Sequence, residues 1–489
     1  MKVEKNAEKN IQLIKDLNNN SSDIVDRILE WDSKKIAYVY LESVSSDDKI
    51  SDFLVQNISL MIKNKKGLFE DVYSTLKNTI YNSHLLTSNT IEDIFNKLAS
   101  GYTCIFVDGS KEAILIETKS KLDRGVSEAT TETVIRGPKD SFTENNATNI
   151  GLIRKRIKDS NLYFQELIIG RRTQSKVNVI YISDIVEQQK VDNIVKKLEK
   201  IDIDGILDTG YLRSFLEENE RSSFPKFQST ERPDLVCTSL LDGKIIIMVE
   251  NSPYVLITPA LFIDFIHNPE DYYQKAANVN VTRVLRTIAF FITLLTPALY
   301  IALTTFNPEI IPNELLISIA IQRSGVPFPT AFEVLIMIIS FEILRESDIR
   351  IPNAMGAAVS IVGALILGEA AVSAGVVSPI VIIIVAITSI SGLLFTDIDF
   401  INALRFWRII FIFFAAVAGL IGVLAGCIIF TVKLCSLEAN GVPYLTPLAP
   451  FYLKDQDDAI RKVARNKMKF RPTYLTKKNL RRLGENNEN

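Results

Sequence analysis

The sequence contains few of the residues on which most catalytic and metal sites depend. Its 489 residues include four cysteines, none in a Cys-x-x-Cys pair, and only two histidines, His84 and His267. A zinc site or a serine–histidine triad would have to use one of these histidines, and neither lies in a recognisable motif. We therefore expect a protein that is not an enzyme, has no cofactor and holds no metal ion.

The chain also lacks a strong excess of charge and an apolar leader. Its formal net charge is −2, which gives no electrostatic reason to expect nucleic acid as a partner. The N-terminal residues contain no apolar run of the kind that forms a secretory signal. We expect the charged half of the chain to stay in the cytoplasm.

Charge divides the chain into two halves. Charged residues are dense from 1 to 286 and sparse from 287 to 432. This pattern predicts a soluble N-terminal half of α+β or α/β class with two subdomains, followed by an α-helical multi-pass membrane domain. The predicted segments are a flexible N-terminal segment 1–22, soluble α/β subdomains 23–142 and 143–280, a transmembrane helical domain 281–435 and a basic C-terminal tail 436–489.

Local patterns in the soluble half predict two hairpins and one helix start. Asp108-Gly109 favours a turn between two strands within 102–119, and Asp242-Gly243 predicts a similar turn after a strand at 235–240. Ser141 and Glu144 have the spacing of a capping box, which predicts a helix from that point to about residue 157.

Five apolar stretches are candidates to cross a membrane. The number of spans remains open, because five crossings would leave the tail outside although residues 453–489 carry eleven Lys and Arg against five Asp and Glu. Basic residues favour the cytoplasmic side, so we favour a cytoplasmic tail. The candidate spans are Thr287–Phe306, Thr330–Leu344, Ala354–Ala371, Val377–Phe395 and Phe406–Val432.

The third of these stretches has two distinct faces. In a ring of copies, its aliphatic face could form an apolar constriction, with glutamates at the mouth that favour cations. Alternatively this face meets lipid, and the glutamate lies at the helix end. The pore-lining candidates are Met355, Val359, Val362, Ile366 and Glu369. The small residues of the other face, which favour close helix packing, are Gly356, Ser360, Gly363 and Ala364.

Two acidic residues, Glu333 and Glu342, interrupt the second apolar stretch. Ionisable residues within a membrane usually have a function. Glu342 could instead pair with Arg345, which follows three residues later.

The densest polar motif runs from residue 136 to 156. On physical grounds it could bind an anion at a helix N-terminus, or it could be only a turn and a helix cap. Its notable residues are Arg136, Gly137, Pro138, Phe142, Thr143, Glu144, Asn149, Arg154 and Arg156. A second motif consists of Glu231, Arg232, Pro233 and Asp234.

These motifs, with the runs 252–273, 325–329, 341–346 and 441–444, resemble the A subunits of bacterial spore germination receptors, the GerA family. The resemblance covers roughly residues 25–475. It implies a homo-oligomer in the lipid bilayer of the spore inner membrane, which conducts monovalent cations and starts germination when nutrients are sensed. It also implies two partners, a transporter-like B subunit and a lipoprotein C subunit.

Two other functions remain alternatives. A paralogue encoded with the spore dipicolinate-release genes, which acts in release of ions or dipicolinate, has closely similar motifs. A small-molecule secondary transporter is the other alternative, and it would be expected to show internal repeats that the sequence does not display.

Overall fold

The structure is a computed structural model that describes residues 1–31, 34–56, 72–80, 85–120, 128–129, 131–217, 222–350, 366–459 and 461–483. Its N-terminal half contains two α/β units, each built on a five-stranded antiparallel sheet. The C-terminal half contains the apolar helices and an extended final segment.

The first unit places its sheet strands in the order β1-β2-β4-β5-β3. The predicted hairpin is present, because Tyr102–Val107 pairs with Ala113–Glu117. The strands are β1 Ile24–Trp31, β2 Lys34–Leu41, β3 Leu85–Ser88, β4 Tyr102–Val107 and β5 Ala113–Glu117. The helices are α1 Ala7–Leu17, α2 Asp47–Ile50 with a π-helical turn at Ser51–Val55, α3 Val72–Thr79 and α4 Ile91–Leu98.

The second unit repeats this topology, because its order β6-β7-β9-β10-β8 uses the first, second, fourth, fifth and third strands in the same positions. The strands are β6 Leu162–Ile169, β7 Ser175–Ile182, β8 Gln228–Thr230, β9 Ile245–Val249 and β10 Val255–Thr258. The helices are α5 Asn146–Arg156, α6 Gln188–Glu199, α7 Thr209–Leu216 and α8 Pro233–Asp242, followed by 3-10 turns at Phe262–Phe265 and Pro269–Tyr272.

Three local predictions differ from the structure. The segment 1–22, expected to be flexible, contains α1, whose Ala7, Ile11 and Ile14 are buried in the first core. The strand predicted at 235–240 is the helix α8, which has Pro233 in its first turn and Gly243 at its left-handed end. The predicted capping box does not form, because α5 begins at Asn146 and the side chain of Asn145 caps it.

The apolar half is helical. Among the described residues, two helices are long and apolar enough to cross a membrane by length and composition, Ala276–Thr305 and Ile398–Cys435. Pro379–Gly392 is apolar but shorter than the predicted span 377–395. The predicted span 354–371 lies largely outside the described residues. In chain order the helices are α9 Ala276–Thr305, α10 Asn313–Arg323, α11 Thr330–Arg350, α12 Pro379–Gly392 and α13 Ile398–Cys435.

Helix α13 folds back on itself, so the prediction of one span at 406–432 is wrong. Ala418 and Gly419 have non-helical backbone angles. The rings of Trp407 and Phe430 have centroids 5.0 Å apart, whereas a straight helix would hold these residues about 35 Å apart. Residues 398–417 and 420–435 therefore form a hairpin with limbs of about 30 and 24 Å.

The hairpin returns the C-terminal segment to the α/β half. After short strands Glu438–Ala439 and Val442–Pro443 and 3-10 turns Leu453–Asp455 and Arg465–Lys467, the chain lies against the second unit. Lys190 donates to the carbonyl of Leu475 at 2.8 Å, and Asn479 donates to Asp184 at 2.7 Å.

Candidate functional site: the junction of the α/β half and the apolar helices

The two sequence motifs form one buried network in the second unit. The carboxylate of Glu231 accepts hydrogen bonds from the backbone and hydroxyl of Thr131, at 2.6 and 2.8 Å. The backbone N–H of Phe142 donates to the carbonyl of Glu231 at 2.8 Å. Burial raises the pKa of the neighbouring Glu132 to about 7. These contacts fix the loop before α5 against the start of α8.

Arg232 and Asp234 extend this network towards the apolar helices. Their side chains are paired at 2.9 Å and almost fully buried, and Arg232 also donates to the carbonyl of Pro138 at 2.8 Å. Tyr273 donates its hydroxyl to Asp234 at 2.6 Å. Gly137, with φ +137, lies so close to the Tyr273 ring that a Cβ atom would clash with it. The motif residues are therefore joined to the segment that leads into α9.

Other motif residues have different positions. Arg154 pairs with Asp23 at 3.0 Å and links the two α/β units. Arg156 pairs with Asp140 at 2.6 Å. Asn149 is buried and accepts from the backbone of Thr143 at 2.8 Å. The remaining three are Pro233, which is buried in the first turn of α8, and Arg136 and Glu144, which are exposed.

Asp271 is the centre of a second buried cluster, where the α/β half meets α9. Its carboxylate receives Arg286 at 2.7 and 2.8 Å and Arg283 at 3.0 Å. Arg283 also reaches the C-terminal segment, since it donates to the carbonyl of Ala459 at 2.9 Å and pairs with Asp458 at 2.8 Å. Lys462 donates to the backbone carbonyl of Asp271. We call the contacts of Asp271 with Arg283, Arg286 and the 458–462 segment the Asp271 junction.

Aromatic packing surrounds the Asp271 junction. Phe400, in the first turn of α13, is fully buried and stacks on Phe265 with centroids 5.2 Å apart. Phe262 meets Phe290 of α9 edge to face at 5.2 Å. The same core extends from these residues through the apolar helices. Phe224, Phe262 and Phe265 of the α/β half therefore belong to the same core as the apolar helices.

Burial and neighbouring charge shift the pKa values of the groups at the Asp271 junction. Burial alone would raise the pKa of Asp271, but hydrogen bonds and positive charge from Arg286 and Arg283 outweigh it and lower the pKa. Burial lowers the pKa of Lys462 to about 8. Burial and the positive charge of Arg283 lower the pKa of His267 well below its ordinary value, so this histidine is neutral.

His267 should make the fold sensitive to acid. Its folded pKa is below the unfolded value near 6.5, so its contribution to stability is complete above that pH and is lost as pH falls further, by about 1.4 kcal/mol per pH unit. We expect His267→Gln, which can keep a donor towards Ala459, to remove this part of the loss. The measurement is the melting temperature of both proteins at pH 7.5 and 5.5. An equal drop in both would contradict the assignment.

Glu333 and Glu342 of α11 are both paired. Glu342 contacts Arg345 at 3.4 Å, and it also contacts Arg408 at 2.8 Å. Glu333 is fully buried, accepts from the backbone and hydroxyl of Ser378 at 3.0 and 2.9 Å, and faces Arg323 at 3.5 Å. These contacts join α11 to its neighbours at both of its ends.

Most of the predicted pore face lies outside the described residues. Ile366 and Glu369 lie in the helical segment 366–373 and are exposed. The remaining pore candidates, Met355, Val359 and Val362, and the packing candidates, Gly356, Ser360, Gly363 and Ala364, lie outside the described residues.

Sequence reasoning missed the Asp271 junction. Asp271 lies within the run 252–273 that carries the family resemblance, and Arg283 and Arg286 lie just before the first candidate span. A usable signal was the position of two arginines one helical turn apart just before an apolar run, because both lie on one face of the helix. Nothing local indicates Asp458 or Lys462 as their neighbours.

The structure defines a class of protein in which an α/β half is joined through buried charges to apolar helices. Comparison with known proteins gives the family. The family model described as "Bacillus/Clostridium GerA spore germination protein" matches residues 12–474. The chain belongs to this family. The match agrees with the motifs that suggested it.

Individual relatives match over most of their length. Spore germination protein KA of Bacillus subtilis is 38% identical, over 98% of this chain and 88% of its own. Spore germination protein GerLA of Bacillus cereus is 34% identical, over 91% and 90%. The crystal structure of the N-terminal domain of the A subunit of the Bacillus megaterium spore germinant receptor GerK3 matches with 32% identity and a TM-score of 0.43, over 54% of this chain and 99% of that one.

Proposed function

We propose that the chain is the A subunit of a nutrient germinant receptor, which oligomerises in the spore inner membrane and forms a nutrient-gated channel for monovalent cations. Family membership and the germination names of the relatives support this. The structural observation that carries it is the Asp271 junction. A buried ion-pair cluster ties the α/β half, α9 and the C-terminal segment together, so a change in one half can shift the other.

The helix arrangement supports a multi-pass topology with the α/β half and the tail in the cytoplasm. The contact of Glu333 with Ser378 puts the starts of α11 and α12 at the same end of the bundle. The α13 hairpin contributes two limbs, so both of its ends lie at the other end of the bundle. We propose an even number of crossings, because the C-terminal segment returns to the α/β half, and this agrees with the basic tail lying inside.

The surface of the helices supports a bilayer and protein partners. Large apolar side chains are exposed along the outer face of the α13 hairpin, such as Ile421 at 76% and Leu424 at 64%. Exposed apolar surface of this extent is typical of membrane or subunit contacts. We propose further copies of this chain, a transporter-like B subunit and a lipoprotein C subunit as the proteins that share this bilayer region.

The channel assignment predicts a leak from one substitution. Val362→Ala removes about 0.8 kcal/mol of apolar preference per lost methylene and per subunit from a dewetted constriction. Cells that express it with partner subunits should lose monovalent cations without nutrient. Both Val362 and its control Leu365 lie outside the described residues, so this expectation comes from the helical face alone.

The control separates a pore face from general damage. Leu365→Ala, about 60° around the helix from Val362 and beyond the edge of the predicted pore face, should leak less in the same cation-efflux assay. Equal leak from both variants, or from neither, would remove the reason to place this face at a pore. Spores without the gene should also fail to release cations when the nutrient is added, and normal release would contradict the receptor assignment.

A further inference from the structure

Three arginines converge on one carboxylate at the end of the apolar helices that faces the α/β half. Glu342 of α11 is contacted by Arg408 at 2.8 Å and by Arg405 and Arg345 at 3.4 Å each. Trp407, which lies between two of these arginines in α13, donates to Ser223 of the α/β half at 2.9 Å. The cluster therefore lies at the level where α11 and α13 meet the soluble part of the chain.

A cavity of about 270 Å³ opens beside this cluster. Its charged lining residues are the three arginines and Glu342, so positive charge exceeds negative charge by two. Its other walls include Phe341 and Leu344. Ile390 and Leu393 also line it and are 65% and 70% exposed on the outer face of the helices. The cavity thus combines a cationic floor with an apolar opening.

Two of the arginines have donors that nothing satisfies among the described residues. The side chain of Arg408 is only 5% exposed, and its Nε atom has no hydrogen-bond acceptor in the described part of the chain. The buried Nε of Arg345 is in the same situation. Buried donors in proteins are nearly always paired. One carboxylate cannot satisfy three guanidinium groups, so the cluster has room for a further acceptor, and its excess positive charge favours an anionic one.

We propose that this cavity binds the phosphate group of an anionic membrane lipid. Guanidinium groups match phosphate oxygens in geometry and bind them with charge-assisted hydrogen bonds. The exposed Ile390 and Leu393 provide the surface along which the acyl chains leave the headgroup. Glu342 offsets part of the positive charge and holds the arginines together. The inference rests on the proposed membrane position of these helices, in which the cavity faces the anionic cytoplasmic leaflet.

The test uses the full chain in phosphatidylcholine nanodiscs and in matching discs that contain phosphatidylglycerol. Bound lipid is counted by native mass spectrometry, and the melting temperature is measured in both discs. We expect the wild type to prefer and be stabilised by phosphatidylglycerol. In the Arg345→Gln/Arg405→Gln double variant, which keeps the Arg408–Glu342 pair, the preference for phosphatidylglycerol should fall at least about tenfold. Lys433→Gln, a change at the end of the hairpin, should retain it.

Each outcome has a definite meaning. An unchanged preference in the double variant, or no preference in the wild type, would overturn the lipid site. Equal stabilisation of the chain in phosphatidylcholine discs by inorganic phosphate would assign the cavity to a soluble anion and overturn the lipid assignment. If the double variant does not fold, Arg345→Gln alone tests the same preference, because Arg345 is the most exposed of the three at 33%. Failure of the wild type to enter discs would contradict the proposed membrane position itself.

Discussion

Asp271→Asn should destabilise the chain by about 3–5 kcal/mol, because it removes the carboxylate that two buried guanidinium groups share. Arg283 is fully buried and Arg286 is nearly so, and both point at the same carboxylate. Asparagine keeps the shape of the side chain but provides neither the charge nor the second acceptor oxygen. Of the remaining partners, the backbone carbonyls of Ile266 and Ala459 carry no charge, and Asp458 leaves a carboxylate beside Arg283 but not beside Arg286.

The matched control is another aspartate–arginine pair. Asp202 and Arg171 are 2.5 Å apart, but their side chains are 69% and 64% exposed. Asp202→Asn should cost less than about 1 kcal/mol, because water screens and replaces an exposed pair. Both variants and the wild type are compared by melting temperature in the same detergent. The expected fall is about 6–10 °C for Asp271→Asn if a unit of 200–250 residues unfolds together. A loss as small as that of Asp202→Asn would contradict the role given to Asp271.

Asp271→Asn should also uncouple the α/β half from the apolar helices. If the Asp271 junction transmits a signal from the α/β half to α9, then Asp271→Asn spores should lose nutrient-triggered cation release in excess of any loss of protein. Immunoblots of the variant subunit provide that correction. Release in proportion to the amount of variant protein would show that the junction is only structural.

The sequence predicted the soluble half better than the apolar half. Alternating β-branched residues and Asp108-Gly109 are sufficient to predict the β4–β5 hairpin, because strand and turn signals are both local. The prediction of a strand at 235–240 was wrong because Val236 and Thr238 are common in strands. The flanking Pro233 and Gly243, which begin and end the helix there, were the better signal.

The apolar half shows why composition alone cannot give topology. The turn of the α13 hairpin consists of Ala418 and Gly419, which a hydropathy count reads as a continuation of the helix. The Asp271 junction was missed for a different reason. Lys462 lies far along the chain from Asp271, and no local pattern encodes a contact across that distance. Both features depend on how the chain folds back rather than on any one segment.

Gly419→Ala should prevent the α13 hairpin from closing. Gly419 has φ +58 and ψ −137, a combination that is almost restricted to glycine and costs other residues about 1–3 kcal/mol. An added Cβ would also lie 2.6 Å from the Cβ of Phe306, at the end of α9. Overpacking of this kind adds about 1–3 kcal/mol. The backbone cost and the overpacking cost together give an expected loss of stability of about 2–6 kcal/mol.

Gly325→Ala provides the control within the same half of the chain. A Cβ at Gly325 would meet no atom within 4 Å, and its φ lies outside the left-handed region. Yield of monodisperse protein and melting temperature in detergent should be near wild type for Gly325→Ala and clearly lower for Gly419→Ala. The hairpin also brings Cys435 back to the side of the α/β half, where it is exposed. A membrane-impermeant maleimide should therefore label Cys435 only from the side on which the N-terminal half is digested by protease. Labelling from the opposite side, or equal stability of the two alanine variants, would show that α13 crosses as a single helix.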